Sequence, residues 1–128
     1  LATELAEGLL VCGRHDDYVV LRGRNIHCPS LEQGLSSLVG VRRGRAGIAA
    51  APDGRWVVAA EIYRSGRRTE EWRRSLEWEI RSLAVAETGV RPSEVLLLAP
   101  GTLPMTSSGK LQRQELLRRW ASGAIETI

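Results

Sequence analysis

A chain of 128 residues is one domain by length, large enough for a modest core and too small for a large enzyme. Its 43% apolar and 26% charged content is globular and excludes a disordered tail. Net charge is only +3, without a polybasic block, and six aromatics are too few to interleave with it, so no nucleic-acid partner is expected. The densest basic stretches, residues 41–45 and 65–68, read as solvated turns. No apolar run approaches the ~20 residues of a membrane span, and no secretory leader is expected. Cys12 and Cys28 are isolated thiols without metal-site spacing, so no metal ligand is expected, and both fit the reduced state of a cytoplasmic protein. The start at Leu1, without Met, reads as an excised piece of something longer.

Residues 8–13 and 18–21 are short apolar runs joined by the polar turn Arg14-His-Asp-Asp17, which predicts a β-hairpin. Pro29 suits a first helical turn, and Leu31, Leu35, Leu38 and Val39 follow at helical spacing until Gly40. Residues 46–51 and 56–62 flank the turn signal Pro52-Asp-Gly54 and predict two strands of one sheet. Thr69 then caps a long helix with Glu70 and Glu71 at its positive end, a core stripe of Trp72, Leu76, Ile80 and Leu83, and a stop at Gly89. Residues 94–98 predict a strand, 100–109 an irregular loop, and 112–121 a helix with Leu116, Leu117 and Trp120 inward. The order predicts an α+β fold: a small mixed sheet, a β-hairpin at the N-terminus and helices packed on the sheet.

The cations are skewed: seventeen arginines and one lysine, Lys110. Arg is a wide planar fork, whereas Lys is a compact point charge on a flexible stem. A site that must put one positive charge between two oxygens of a small reacting centre asks for Lys. A proline, three hydroxyls and a glycine precede Lys110, a pattern that presents a side chain from an ordered loop. The loop is no phosphate-cradling Walker motif, since Pro104 and Leu111 stand where Gly and a magnesium-binding hydroxyl would be needed.

Pro104, Thr106, Ser108, Gly109, Lys110 and Arg113 together resemble the last core motif of the adenylate-forming enzymes, Pro-x-Thr-x-Ser-Gly-Lys-x-x-Arg. That family comprises acyl- and aryl-CoA synthetases, nonribosomal-peptide adenylation domains, luciferases and fatty acyl-AMP ligases. Residues 13–32 resemble the family's hinge motif, Gly-Arg-x-Asp-Asp followed by a strand, a Gly loop and a helix carrying Glu32. Order and separation of the two motifs suit the family's small C-terminal domain. The resemblance implies residues 1–28 as a hinge hairpin and Gly loop, 29–98 as an α+β core, and 99–128 as a catalytic-lysine loop and terminal helix.

It also implies roles. Lys110 would close over the active site and bridge the substrate carboxylate and the α-phosphate of ATP. Arg14, Thr106, Ser108 and Gly109 would contact substrate or ATP, and Asp16 would be the hinge about which the domain rotates between half-reactions. Arg22, Gly23, Arg24 and Asn25 would face a phosphopantetheine arm after that rotation. Arg22 to Glu32 looks most like the fatty acyl-AMP ligase branch, which passes the acyl group to an acyl carrier protein. Ile26, His27 and Cys28 depart from that branch's usual His-Tyr. A coenzyme A synthetase or a peptide-synthetase adenylation domain remains the alternative, and a non-catalytic module docking a carrier protein is the rival of another class. ATP with Mg2+ is the expected cofactor, bound mainly by the larger N-terminal domain, which is the expected partner beside acyl carrier protein or coenzyme A. Alone, the chain is expected to be inactive.

Overall fold

The computed structural model describes residues 18–63, 69–125 and 127. Arg14, Asp16, Cys12 and the expected strand at 8–13 lie outside the described residues, as does the whole basic stretch 65–68. The first described element is an N-terminal hairpin of its own, built on residues 18–27. Strand β1 (Tyr18–Leu21) pairs antiparallel with β2 (Arg24–His27), and Leu21 lies opposite Arg24. That register leaves two residues for the turn, Arg22 at φ +49° and Gly23 at φ +79°. Both central residues at positive φ give the turn whose twist matches a right-twisted strand pair. Arg24 and Asn25, expected in a loop, are therefore strand residues.

Helix α1 (Cys28–Ser36) follows without a linker, with Pro29 in its first turn and Cys28, Leu31 and Leu35 buried. It stops short of Leu38 and Val39. The hydroxyls of Ser36 and Ser37 both donate to the Gln33 carbonyl at 3.1 and 3.0 Å, offering the backbone an alternative to further helix. Leu38 still packs partly on the core, whereas Val39 is 90% exposed.

Strand β3 (Val41–Ala50) begins earlier than expected. Its register against β4 (Trp56–Ile62) shifts between Val41 and Ala46, so the basic stretch 41–45 is the irregular start of a strand, not a free turn. Strand β5 (Glu94–Leu98) pairs parallel with β4, completing the mixed sheet β3-β4-β5. The crossover between these parallel strands is α2 (Glu70–Thr88). Thr69 caps it by accepting the Trp72 amide at 3.0 Å, and Gly89 ends it in the left-handed region with its N–H on the Val85 carbonyl. Helix α3 (Arg113–Ser122) closes the fold.

Every residue of β4 is buried, so the sheet is covered on both faces. Alternation sends Trp56, Val58, Ala60 and Ile62 towards α1 and α2, where Leu31, Leu35, Leu76, Ile80 and Ala84 meet them. Val57 and Ala59 face the other way, into a second core with Leu96, Leu98, Leu103 and Leu116, flanked by Leu111, Leu117 and Trp120. Trp120 also donates to Glu94 at 2.9 Å and carries the Arg55 guanidinium 5.4 Å from its ring centre. The architecture is α+β, with α1 and α2 on one face of the mixed sheet and the 99–112 segment with α3 on the other.

The cap at Thr69 is a direct test of how α2 starts. Thr69→Ala should cost about 1 kcal/mol of stability, read as a lowered urea midpoint at unchanged slope. An unchanged midpoint would mean that the helix start is held by packing alone.

Candidate active site

The segment between β5 and α3 carries Lys110 and is tightly built. Met105 and Leu111 form an isolated antiparallel bridge, and the Gln112 amide donates to the Pro104 carbonyl at 2.9 Å. Inside this closure Thr106 holds both main-chain groups of Lys110: its amide donates to the Lys110 carbonyl at 2.8 Å, and its hydroxyl oxygen accepts the Lys110 amide at 3.0 Å. The Thr106 carbonyl also accepts the Gly109 amide at 2.9 Å, with Gly109 at φ +89°. Ser108 Oγ lies 3.0 Å from Thr106 Oγ1, and Ser108 and Gly109 form the exposed tip. The four motif residues Thr106, Ser108, Gly109 and Lys110 are thus brought together, and Thr106 serves first to orient the lysine.

Two carboxylates hold this loop from beneath. Glu61 takes the β4 position two beyond Ala59, on the face where the loop crosses, and is fully buried. Its Oε2 accepts the Leu103 amide at 2.9 Å and its Oε1 accepts Arg42 Nη1 at 2.7 Å. At the other end Arg113 donates to Glu32 and, at 3.0 Å, to the Ile48 carbonyl, while Glu32 also accepts the Ile48 amide at 3.0 Å. The side chains of Arg113 and Glu32 are only 11% and 14% exposed. Sequence reading quoted both as motif positions and gave neither a role. Glu61 went unnoticed, although an acid inside an otherwise apolar strand was a visible signal.

Lys110 and Thr106 line a surface cavity of about 600 Å3 together with Tyr18, Ala50, Gln114 and Glu115. One wall is therefore β1 of the hairpin, another the first turns of α3. Glu115 bonds Arg118 and Arg119, and these hydrogen bonds hold its carboxyl down to about 2. It faces the cavity as an anion at any physiological pH.

The other predicted group lies elsewhere. Arg22, Gly23, Arg24 and Asn25 are exposed at and beside the hairpin turn, and none of them lines the Lys110 cavity. Arg24 Nη1 donates to the Thr88 carbonyl at 3.1 Å, at the negative end of α2. Among the described residues no group of three or more His, Cys, Asp or Glu could hold a metal ion, and no helix is long and apolar enough to cross a membrane.

Comparison with known proteins gives this geometry a context. The chain is 36% identical over 107 residues to the putative ligase Rv1013 of Mycobacterium tuberculosis, a match covering 82% of this chain and 20% of that protein. It is 32% identical over 126 residues to the long-chain-fatty-acid–AMP ligase FadD26 of Mycobacterium marinum, covering 94% of this chain and 21% of that protein. A solved structure from a study of fatty acyl-adenylate ligases from E. coli and L. pneumophila superposes with a TM-score of 0.73 at 27% identity, covering 88% of this chain and 20% of that one. No family model matches the chain. The chain spans about a fifth of the length of the curated relatives it matches. Over most of its length it is homologous to a segment of the fatty acyl-AMP ligases and related ligases.

Two outcomes follow from the loop's supports. Glu61→Ala strands the Leu103 amide and leaves Arg42 without this carboxylate, and should cost about 2–4 kcal/mol in chemical unfolding; a loss below 1 kcal/mol would show the buried carboxylate to be dispensable. Glu115 has a folded pKa depressed from 4.5 to about 2, so its contribution to stability is present above the unfolded value and fades as pH falls towards 2. Carboxyl NMR titration should show Glu115 still charged at pH 3.5, and half-protonation near pH 4.5 would mean that its arginine bonds do not persist in solution.

Proposed function

We propose that this chain, homologous over most of its length to fatty acyl-AMP ligases, is the C-terminal domain of such a ligase and supplies its adenylation lysine. The observation that carries the reading is Lys110: the one lysine beside seventeen arginines, its main chain gripped on both sides by Thr106, at the lip of a cavity. In the reaction a carboxylate oxygen of the fatty acid attacks the α-phosphorus of ATP. A new P–O bond forms, the bond to the pyrophosphate oxygen breaks, and pyrophosphate leaves. Two anions must approach, and charge grows on the phosphoryl oxygens in the transition state. An ammonium held between carboxylate and phosphate offsets both repulsions, and one such positioned charge or donor is worth about 2.7–4 kcal/mol.

The ordered main chain and the flexible stem divide the task. Thr106 fixes where the side chain starts, and the four-carbon stem lets the ammonium reach a centre supplied by the rest of the ligase. Mg2+ accompanies ATP, and in this reading both are bound mainly by the larger domain. The second half-reaction is the attack of a phosphopantetheine thiol on the acyl carbonyl with AMP leaving. In this reading Asp16 is the pivot between the two poses, Arg14 reaches the nucleotide, and the hairpin turn at Arg22, Gly23, Arg24 and Asn25 meets the arm. The separation of that turn from the Lys110 cavity supports two faces used in turn. An acyl carrier protein as acceptor, a long-chain fatty acid as substrate and a cytoplasmic setting complete the proposal. Coenzyme A as acceptor would instead make it a synthetase domain.

In the full-length ligase Lys110→Ala should slow pyrophosphate release by about 10²–10³-fold and leave transfer from preformed acyl-AMP nearly intact. Lys110→Arg should not restore the first step, since the planar fork does not fit a point-charge site. Equal damage to both half-reactions, or full activity of Lys110→Arg, would refute the assignment; the latter outcome is what a pure docking module predicts.

A further inference from the structure

Among the described residues strand β3 is at the edge of its sheet, so its outward N–H and C=O groups need partners other than a neighbouring strand. At Ile48 both are taken by charged side chains from distant parts of the chain. The Ile48 amide donates to Glu32 of α1, and the Ile48 carbonyl accepts from Arg113 of α3, which also bonds Glu32. One residue earlier, Gly47 leaves a gap that the loop fills. A Cβ on Gly47 would lie 2.4 Å from Leu111 Cδ2, closer than any real contact, so Leu111 is seated against bare backbone. Leu111 is the neighbour of Lys110, and Arg113 lies three residues on. Two consecutive residues of one strand therefore index the segment that carries the lysine.

We propose that Glu32, acting through Arg113, and Gly47, acting through Leu111, are positioning residues for Lys110. This rests on the reading of Lys110 as the adenylation lysine. The four residues fix the C-terminal side of the loop, as Glu61 fixes its N-terminal side through Leu103. A slack seat would still bind ATP and fold, but would deliver the ammonium to the wrong place, and a misplacement of about 1 Å can cost about 10²-fold in rate. The coupling also joins the two motifs in one rigid body, since Glu32 ends the first and Arg113 the second.

The test uses the full-length ligase with Glu32→Gln, an isosteric change that removes the charge, and Gly47→Ala as an independent second variant. Each should lower kcat for acyl-adenylate formation by about 10–100-fold with the KM for ATP little changed, and spare acyl transfer from preformed acyl-AMP. Each should also speed hydrogen exchange in the peptide spanning 104–113, where Thr106 holds the Gly109 and Lys110 amides. In a Lys110→Ala background Glu32→Gln should add almost nothing, because a misplaced lysine cannot matter once the lysine is gone. Wild-type kcat in both variants, or an equal loss from Glu32→Gln with and without Lys110, overturns the positioning role while leaving Lys110 as the adenylation lysine. If Lys110→Ala itself leaves adenylation intact, the reading beneath it fails instead.

Discussion

Strand β4 exposes none of its seven residues, and that constraint organises the rest of the molecule. A central strand with two dry faces needs two covers. The amphipathic helices α1 and α2 supply one, each with an apolar stripe to bury. The other cover is mostly the segment after β5, a stretch with little regular structure, completed by α3. Irregular backbone over a dry face brings polar groups that must be satisfied. Glu61 answers that need at the start of the loop, and the alternation of β4 delivers it to the correct face. The loop that presents Lys110 is thus a structural lid as well as a candidate catalytic element, which explains why so polar a sequence is so firmly held.

Buried or half-buried charges are poor sources of net stability, because desolvation offsets most of the attraction between them. Glu61 with Arg42, and Glu32 with Arg113, are better understood as devices of register. An apolar pair of similar size could fill either space, but would not choose one position of the loop over another. A carboxylate that must meet two specific donors does choose. Ile48 illustrates the economy of the arrangement: the two outward main-chain groups that would leave a free sheet edge become the reference to which α1 and α3 are both tied.

Legibility from sequence followed the strength of local signals. The β4 and β5 strands and α2 with its Thr69 cap and Gly89 stop were readable, since periodicity, cap and stop agreed. Leu38 and Val39 continued the helical spacing of α1, and no pattern of apolar residues could show that the two serines would turn the chain first. Strand β2 was read as a loop because Arg24 and Asn25 are polar and exposed; its pairing rests on a two-residue turn with Arg, not Asn or Asp, at the first positive-φ position. The bulged start of β3 was hidden by its three arginines for the same reason. At the site, the contiguous run from Pro104 to Lys110 was readable as a presenting loop. The Glu32–Arg113 pair was not, because 81 residues separate its members and only the folded sheet brings them together. The bond from Arg24 to the Thr88 carbonyl was equally illegible, since 64 residues separate the two.

The preference for arginine everywhere but one position now has a physical sense. Arg42, Arg113, Arg24 and Arg55 all work at fixed distances against carboxylates, carbonyls or a ring, where a planar fork can satisfy directional partners. Those are static tasks, and rigidity helps them. A cation that must arrive at a reacting centre, neutralise two oxygens of changing charge and withdraw gains nothing from a rigid fork, and its extra donors would have to be desolvated without partners. A single ammonium on a long stem, rising from a main chain pinned by Thr106, separates the two requirements: precision in the backbone, freedom in the side chain. In the proposed reading Lys110 stands where those requirements meet, and the composition of the chain and the geometry of the loop both support it.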